Sequence, residues 1–236
     1  MKKTLRFFLA FVVLAHIVLQ ASAQDESSFG AFYALPVGSF GSTDVKEGGF
    51  AKPGWGFVFD SRSTYKFLPK GMSLYFHSTY QWNTMDTEKV AEAFTQALGR
   101  RTVTSSSRYS PLLTTIGPAY TFDLGQKVKL GVNTSVGIMF NNTRAFSLQV
   151  YDDNNNELLR ETINFNNNVA FAYTAGFELK FPILENVLSG AIYADYTGAK
   201  QKTELTFDTL DPISSFQKIR YLNLGFKLIV PKKKAE

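Results

Sequence analysis

Alternation of apolar and polar residues, repeated over eight separate segments, is the feature that most narrows what this chain can fold into. Successive side chains of a β-strand point to opposite faces, so an alternating segment reads as a strand with one greasy and one polar side. The segments are Phe29–Val37, Trp55–Phe67, Met72–Trp82, Ser110–Phe122, Val128–Phe140, Val169–Phe181, Val187–Tyr196 and Arg220–Val230. In the fifth, Val128, Leu130, Val132, Val136, Ile138 and Phe140 share one face, and Lys129, Gly131, Asn133, Ser135, Gly137 and Asn141 share the other. Beyond residue 23 no apolar run approaches the ~18–20 residues of a spanning helix. A sheet crosses lipid only as a closed barrel, because closure leaves no unpaired edge.

The connections alternate in length. Leu68–Gly71, Asp123–Lys127 and Pro182–Asn186 are short and carry turn residues, whereas 38–54, 83–109, 141–168 and 197–219 are long. This layout predicts an all-β fold: an eight-stranded antiparallel up-and-down transmembrane β-barrel with short periplasmic turns and long extracellular loops. A soluble ligand-carrying barrel also alternates, with its faces reversed. Three features favour the membrane form. The polar face carries Gly131, Gly137, Gly176, Gly190 and Gly225, as the narrow interior of eight strands requires. The apolar face ends in aromatics: Trp55, Tyr80, Trp82, Phe140 and Tyr196 near the long loops, and Phe67, Phe122 and Phe181 near the turns. Two such girdles suit two lipid–water interfaces. Most segments also reach the ~9–11 residues that a tilted strand needs to cross hydrocarbon.

The first 23 residues read as an export signal. Met1–Arg6 is basic, Phe7–Leu19 is apolar apart from His16, and Ala21-Ser22-Ala23 offers small residues before Gln24. The expected organisation is a signal peptide over 1–23, a barrel domain over 24–230 and a basic periplasmic tail over 231–236. Without that signal the chain holds 22 basic and 20 acidic residues, too even a balance for a nucleic-acid partner. There is no cysteine, which excludes disulfides, thiolate metal sites and a lipidated Cys.

Two long loops hold patterns of their own. Phe146, Leu148 and Val150 keep the parity of the fifth segment, and Leu159, Ile163 and Phe165 that of the sixth. One register, in which paired residue numbers sum to 309, joins Val128 to Phe181, Phe140 to Val169 and Val150 to Leu159. This predicts a protruding β-ribbon over about 142–168, turning at Asp152–Glu157. In Asp86–Arg100, the residues Val90, Phe94, Ala97 and Leu98 fall at helical spacing, with Asp86 or Thr87 as cap and Gly99 as stop, so a short loop helix over about 86–98 is expected.

Candidate chemistry lies on the polar face. Asp60, Arg62, Lys66, His77, Lys129, Glu178, Lys180, Asp195 and Lys227 are expected to form a lumen polar network, a plug that holds barrel geometry. The functional alternative is a narrow small-solute or ion path. His77 is the one histidine after residue 23. Ser–His–acid catalysis would need it, with Asp60 or Glu178 as orienting acid and Ser73 or Ser135 as nucleophile. No catalytic set is assigned, and no metal or cofactor is expected; Asp152, Asp153 and Glu157 lack the spacing of a Ca²⁺ loop.

The stretch Phe29–Ser42 (FGAFYALPVGSFGS), the Gly-rich run to Phe59 and Gly117-Pro118 resemble outer-membrane β-barrel proteins of the porin family from Bacteroidota, related in architecture to the OmpA transmembrane domain and OmpX. Many such barrels end in an aromatic residue that the assembly machinery reads, whereas here the last segment ends at Val230 and Pro231–Glu236 follows. The resemblance implies this fold and a place in the outer membrane of a Gram-negative bacterium; the expected state is a monomer. Its partners would be outer-membrane lipids and lipopolysaccharide, the barrel-assembly machinery, and a surface ligand. A structural or surface-interaction role is the first expectation, with a lipid-modifying enzyme built on His77 as a further alternative.

Overall fold

The computed structural model describes residues 24–44, 48–125, 127–184, 187–209 and 211–231. The signal peptide expected over 1–23 lies outside the described residues, as does the tail beyond Pro231. The strands are β1 (Gln24–Pro36), β2 (Ala51–Ser63), β3 (Met72–Met85), β4 (Arg101–Thr104), β5 (Arg108–Asp123), β6 (Lys129–Thr143), β7 (Phe146–Tyr151), β8 (Glu157–Asn167), β9 (Ala170–Leu184), β10 (Leu188–Thr206) and β11 (Ile213–Pro231). Among the described residues one α-helix, α1, spans Thr87–Leu98.

Eight strands close a ring in the order β11-β1-β2-β3-β5-β6-β9-β10, and β10 pairs back to β11. All eight ladders are antiparallel, and neighbours in the ring are neighbours in sequence apart from the excursions through β4 and β7–β8. This is the expected up-and-down barrel. Its outer face exposes Phe29, Trp55, Phe57, Val132, Phe171, Phe177, Ile192, Leu224 and Phe226, while Asp60, His77, Glu178, Asn223 and Lys227 are buried inside. Apolar residues therefore point out and ionic residues point in, the reverse of a soluble barrel.

Inside, the two ends differ. The half nearer the short turns is ionic. The half nearer the long loops is packed with Phe32, Val58, Leu113, Met139, Ile219 and Tyr221. A 3₁₀ turn at Gly38–Phe40 drops Phe40 into this half, with ring centroids 5.0 Å from Tyr109 and 5.1 Å from Tyr221. The lumen is thus not filled by polar groups alone, as expected, but carries an apolar plug above an ionic layer. Periodicity gives the face a residue occupies; it does not say that every residue on that face is polar, and close packing accepts either kind.

Glycine makes the space. Phe32 lies where Cβ atoms at Gly56 and Gly225 would sit, 2.3 Å from its Cζ and 2.7 Å from its Cβ. Lys227 crosses Gly30, Glu178 crosses Gly131 and Asp195 crosses Gly176, where a Cβ would lie 2.8, 2.9 and 1.7 Å from the respective side chain. Gly190 is corrected: it faces outward beneath the Phe181 ring, 2.8 Å from a Cβ placed there. It has the parity of Ile192, not that of Asp195.

The ribbon forms in the expected register: Lys129 opposes Lys180, Met139 opposes Ala170, and Val150 opposes Leu159. It is broken at Arg144–Ala145 and Asn168–Val169. β7 also takes β4 as a neighbour, and Asn164–Asn167 of β8 pairs with Thr203–Thr206 of β10. The span 197–219 is not a loop. β10 and β11 stay paired from Ser189↔Ile229 to Leu205↔Ile213 and leave only a short connection. Beyond the apolar band both faces of this hairpin carry polar residues, so the alternation that marks a strand fades there.

In α1, Asp86 Oδ1 accepts from the Lys89 amide at 3.3 Å, and Gly99 ends the helix at φ +63°, a left-handed value suited to glycine. Val90 and Ala93 are buried and Phe94 partly so, whereas Ala97 and Leu98 are exposed. The buried stripe therefore occupies only the first two turns. The helix covers the free edge of β4: the Thr102 amide donates to Thr95 Oγ1 at 3.0 Å, and Thr104 Oγ1 donates to the Thr87 carbonyl at 2.7 Å.

Gly56→Val should destabilise the barrel by about 1–3 kcal/mol through overpacking against Phe32. Adding Phe32→Ala should recover part of that loss, as read from urea midpoints in detergent; a strictly additive pair would refute the proposed contact.

Candidate functional site

Strand register brings the ionic side chains together. Asp60 on β2 stands directly opposite His77 on β3 and Ser28 on β1, and Arg62 stands opposite Tyr75. His77 Nδ1 is 2.7 Å from Asp60 Oδ1 and 3.1 Å from the Tyr75 hydroxyl. Lys227 Nζ bridges two carboxylates, 2.7 Å from Asp60 Oδ2 and 2.8 Å from Glu178 Oε2. Arg62 donates to Glu178 Oε1 at 2.5 Å and lies 3.1 Å from Glu26 Oε1. Lys180 pairs with Glu26 and lies 3.3 Å from Glu178. Cation–π contacts add to the set, with Arg62 5.0 Å from the Tyr75 centroid and Lys227 4.3 Å from that of Tyr193. The cluster ties β1, β2, β3, β9 and β11 together across the lumen.

Of the nine predicted members, Asp60, Arg62, His77, Glu178, Lys180 and Lys227 meet in this cluster. Asp195 lines the same lumen, buried, but makes no hydrogen bond among the described residues. Lys66 is corrected: β2 ends at Ser63, so Lys66 lies exposed in the following turn. Lys129 keeps inward parity but is exposed at the mouth. There it lines a cavity of about 1000 Å³ with Glu26, Arg62, Ser73, Thr121 and Lys180, closed on one side by the ionic layer. Glu26, Tyr75 and Tyr193 were not anticipated as members. Glu26 has the even parity of Ser28 and Phe32; β1 begins at Gln24, earlier than the alternation from Phe29 suggested.

The aromatics sit on the outer face or its rims. Trp55 packs edge-on to Tyr33 at 5.0 Å, Trp82 lies 5.7 Å from Phe57 and 6.1 Å from Tyr80, and Tyr196 lies 6.2 Å from Tyr173. Toward the turns, Phe122 lies 4.6 Å from Tyr120, Phe181 lies 6.3 Å from Phe226, and Phe67 stacks on Tyr65 at 5.5 Å. Phe140, partly buried, stands opposite Leu112. Tyr33 and Tyr173 extend the upper set.

A hydrolytic triad is not assembled. Asp60, not Glu178, is the acid on His77. The His77 Nε2 atom makes no hydrogen bond among the described residues, and neither does the Ser73 hydroxyl. The Ser135 hydroxyl is engaged with Thr115 at 2.7 Å and Thr174 at 2.5 Å. Among the described residues no group of three His, Cys, Asp or Glu side chains could hold a metal. At the ribbon tip, Asp152 is a turn cap: its oxygens accept from the Asn156 side chain at 3.0 Å and from the Asn156 and Asn154 amides at 2.8 and 2.9 Å. The Asn156 side chain, followed by these amides, holds the Asp152 carboxyl below its ordinary pKa.

No protein-family model matches the chain, and no curated protein does. Among solved structures it is similar to Neisserial surface protein A, at 10% identity and TM-score 0.47, covering 89% of this chain and 98% of that one. It is also similar to the outer membrane protein OprG of Pseudomonas aeruginosa, at 8% identity and TM-score 0.46, covering 90% and 99%. A third is Ail, the attachment invasion locus protein of Yersinia pestis, at 16% identity and TM-score 0.38, covering 87% and 99%.

Lys227→Met should strip Asp60 and Glu178 of their shared cation and cost about 3–5 kcal/mol, the range for breaking a buried ion pair. Lys129→Met at the exposed mouth should change stability by less than about 0.5 kcal/mol. Urea midpoints of the two variants in detergent compare them directly, and equal losses would show that the cluster does not brace the barrel.

Proposed function

We propose that this protein is an integral outer-membrane barrel with a sealed lumen, whose role is structural or surface-interacting. The single observation that carries the reading is the orientation of the wall. A closed ring turns Phe29, Phe57, Val132, Phe177, Ile192 and Leu224 outward and packs charges inside. Water penalises such an outer surface, and hydrocarbon accepts it. The proposed setting includes export by the signal peptide over 1–23, insertion by the barrel-assembly machinery, a monomeric barrel, and contact with outer-membrane lipids and lipopolysaccharide. Both termini of the ring then lie on the periplasmic side. β4, β7, β8, α1 and the ends of β10 and β11 stand outside as the surface offered to a ligand.

Conduction is opposed by the same packing. A path along the axis would have to pass the Lys227–Asp60–Glu178 layer and then the Phe40, Tyr109 and Tyr221 rings. A lipid-modifying activity finds His77 oriented by Asp60, but neither Ser73 nor Ser135 is bonded to it among the described residues.

The detergent-extracted protein should migrate differently before and after boiling and should fractionate with the outer membrane. A species that does not shift and that purifies from the soluble periplasm would refute the proposal. In planar bilayers the protein should show no stepwise openings; clear unitary steps would refute the sealed lumen while leaving the membrane barrel intact.

A further inference from the structure

We propose that Lys200, Lys202, Lys218 and Arg220 form a docking patch for a phosphate carried by a lipid of the surrounding leaflet, an inference that rests on the membrane reading above. On the hairpin of β10 and β11, Lys200 stands directly opposite Lys218, Gly198 opposite Arg220, and Lys202 opposite Phe216. The alternate pairs, Thr197 with Tyr221 and Ala199 with Ile219, are buried inside. Parity therefore places all four cations on the outward face, in line with Tyr196 and Leu222. Lys200, Lys202 and Lys218 are exposed, and Arg220 is partly covered. Lys200 Nζ lies 4.7 Å from the centroid of Phe216, which holds it on the hairpin.

Position and charge point to the ligand. Lys200 is four residues beyond Tyr196 along β10. At ~3.3 Å per residue and a tilt of ~40°, it stands about 10 Å above the aromatic band, at the depth of lipid headgroups. Like charges directly opposite on neighbouring strands disfavour the hairpin that carries them. Among the described residues no carboxylate pairs with any of the four; Glu204, the outward acid of β10, lies farther out, its carboxylate 3.4 Å from Asn166 Nδ2. An external anion resolves that repulsion, and a phosphate offers oxygens to two ammonium groups and a guanidinium at once. A soluble polyanion shares this chemistry. The patch faces sideways, however, continuous with exposed Phe171 and Tyr173 on the wall that lipid covers, and so fits a lipid-borne phosphate.

The test places the full-length protein in phosphatidylcholine vesicles containing either bis-phosphorylated lipid A or the same lipid after phosphatase treatment. Unfolding is followed by the heat-dependent gel shift. The phosphorylated lipid should raise the wild-type midpoint by several degrees. The double variant Lys200→Gln/Lys218→Gln should lose that gain, yet be at least as stable as wild type in phosphatidylcholine alone, because repulsion has been removed. Lys70→Gln, in an exposed turn at the other end, should behave as wild type. Titration of labelled lipid A in maltoside micelles should show about tenfold or greater weakening in the double variant. An undiminished gain in the double variant would overturn the patch. A soluble sulfated oligosaccharide or inorganic phosphate that reproduces the full gain would overturn the lipid source. A protein with no heat-dependent shift in any lipid would defeat the membrane reading itself, whereas a shifting barrel indifferent to phosphate defeats only this inference.

Discussion

Every backbone amide and carbonyl in the apolar band must find its partner within the protein, because hydrocarbon supplies none. The ring meets that demand by joining its last strands to its first: β11 pairs with β1 from Glu26↔Pro231 to Pro36↔Tyr221 and with β10 along its other edge. Closure at eight strands then sets the interior, which is only wide enough for side chains. The glycines at positions 30, 131 and 176 follow from that narrowness, since each lies beneath a charged side chain that would otherwise have nowhere to go.

Within this tube the ionic layer acts as a cross-brace. Lys227 reaches from β11 to acids on β2 and β9, and Arg62 reaches from β2 to acids on β9 and β1. Burying such groups costs more than burying apolar ones unless each charge finds partners in good geometry. The shared carboxylates of Asp60 and Glu178 supply them. The apolar half is filled differently, by close packing around Phe40, which comes from a loop rather than from the wall.

Much of the wall was legible in residue order. Alternation located the eight strands, and the constant sum of 309 correctly joined the ribbon to β6 and β9 across two breaks. It failed where the two faces cease to differ in polarity. The upper parts of β10 and β11 read as loop because Lys200, Gln201, Lys202 and Thr203 offer no contrast. It failed also at strand ends: Lys66 keeps the parity of Arg62 but falls past the end of β2, and Glu26 lies before the alternation becomes visible. In α1 the helical spacing was right, but only the first two turns bury their apolar residues.

The sequence by itself determined the periodicity, hence which side chains share a face, and the glycine and aromatic placement that distinguishes a lipid-facing wall from a solvated one. These are local properties, set by the two-residue repeat of an extended chain. Only the tertiary structure decided which charges meet. Lys227 and Asp60 are separated by 167 positions, and their contact arises from the stagger with which β11 closes against β1. Stagger is a property of the whole ring, and no short window of residues contains it.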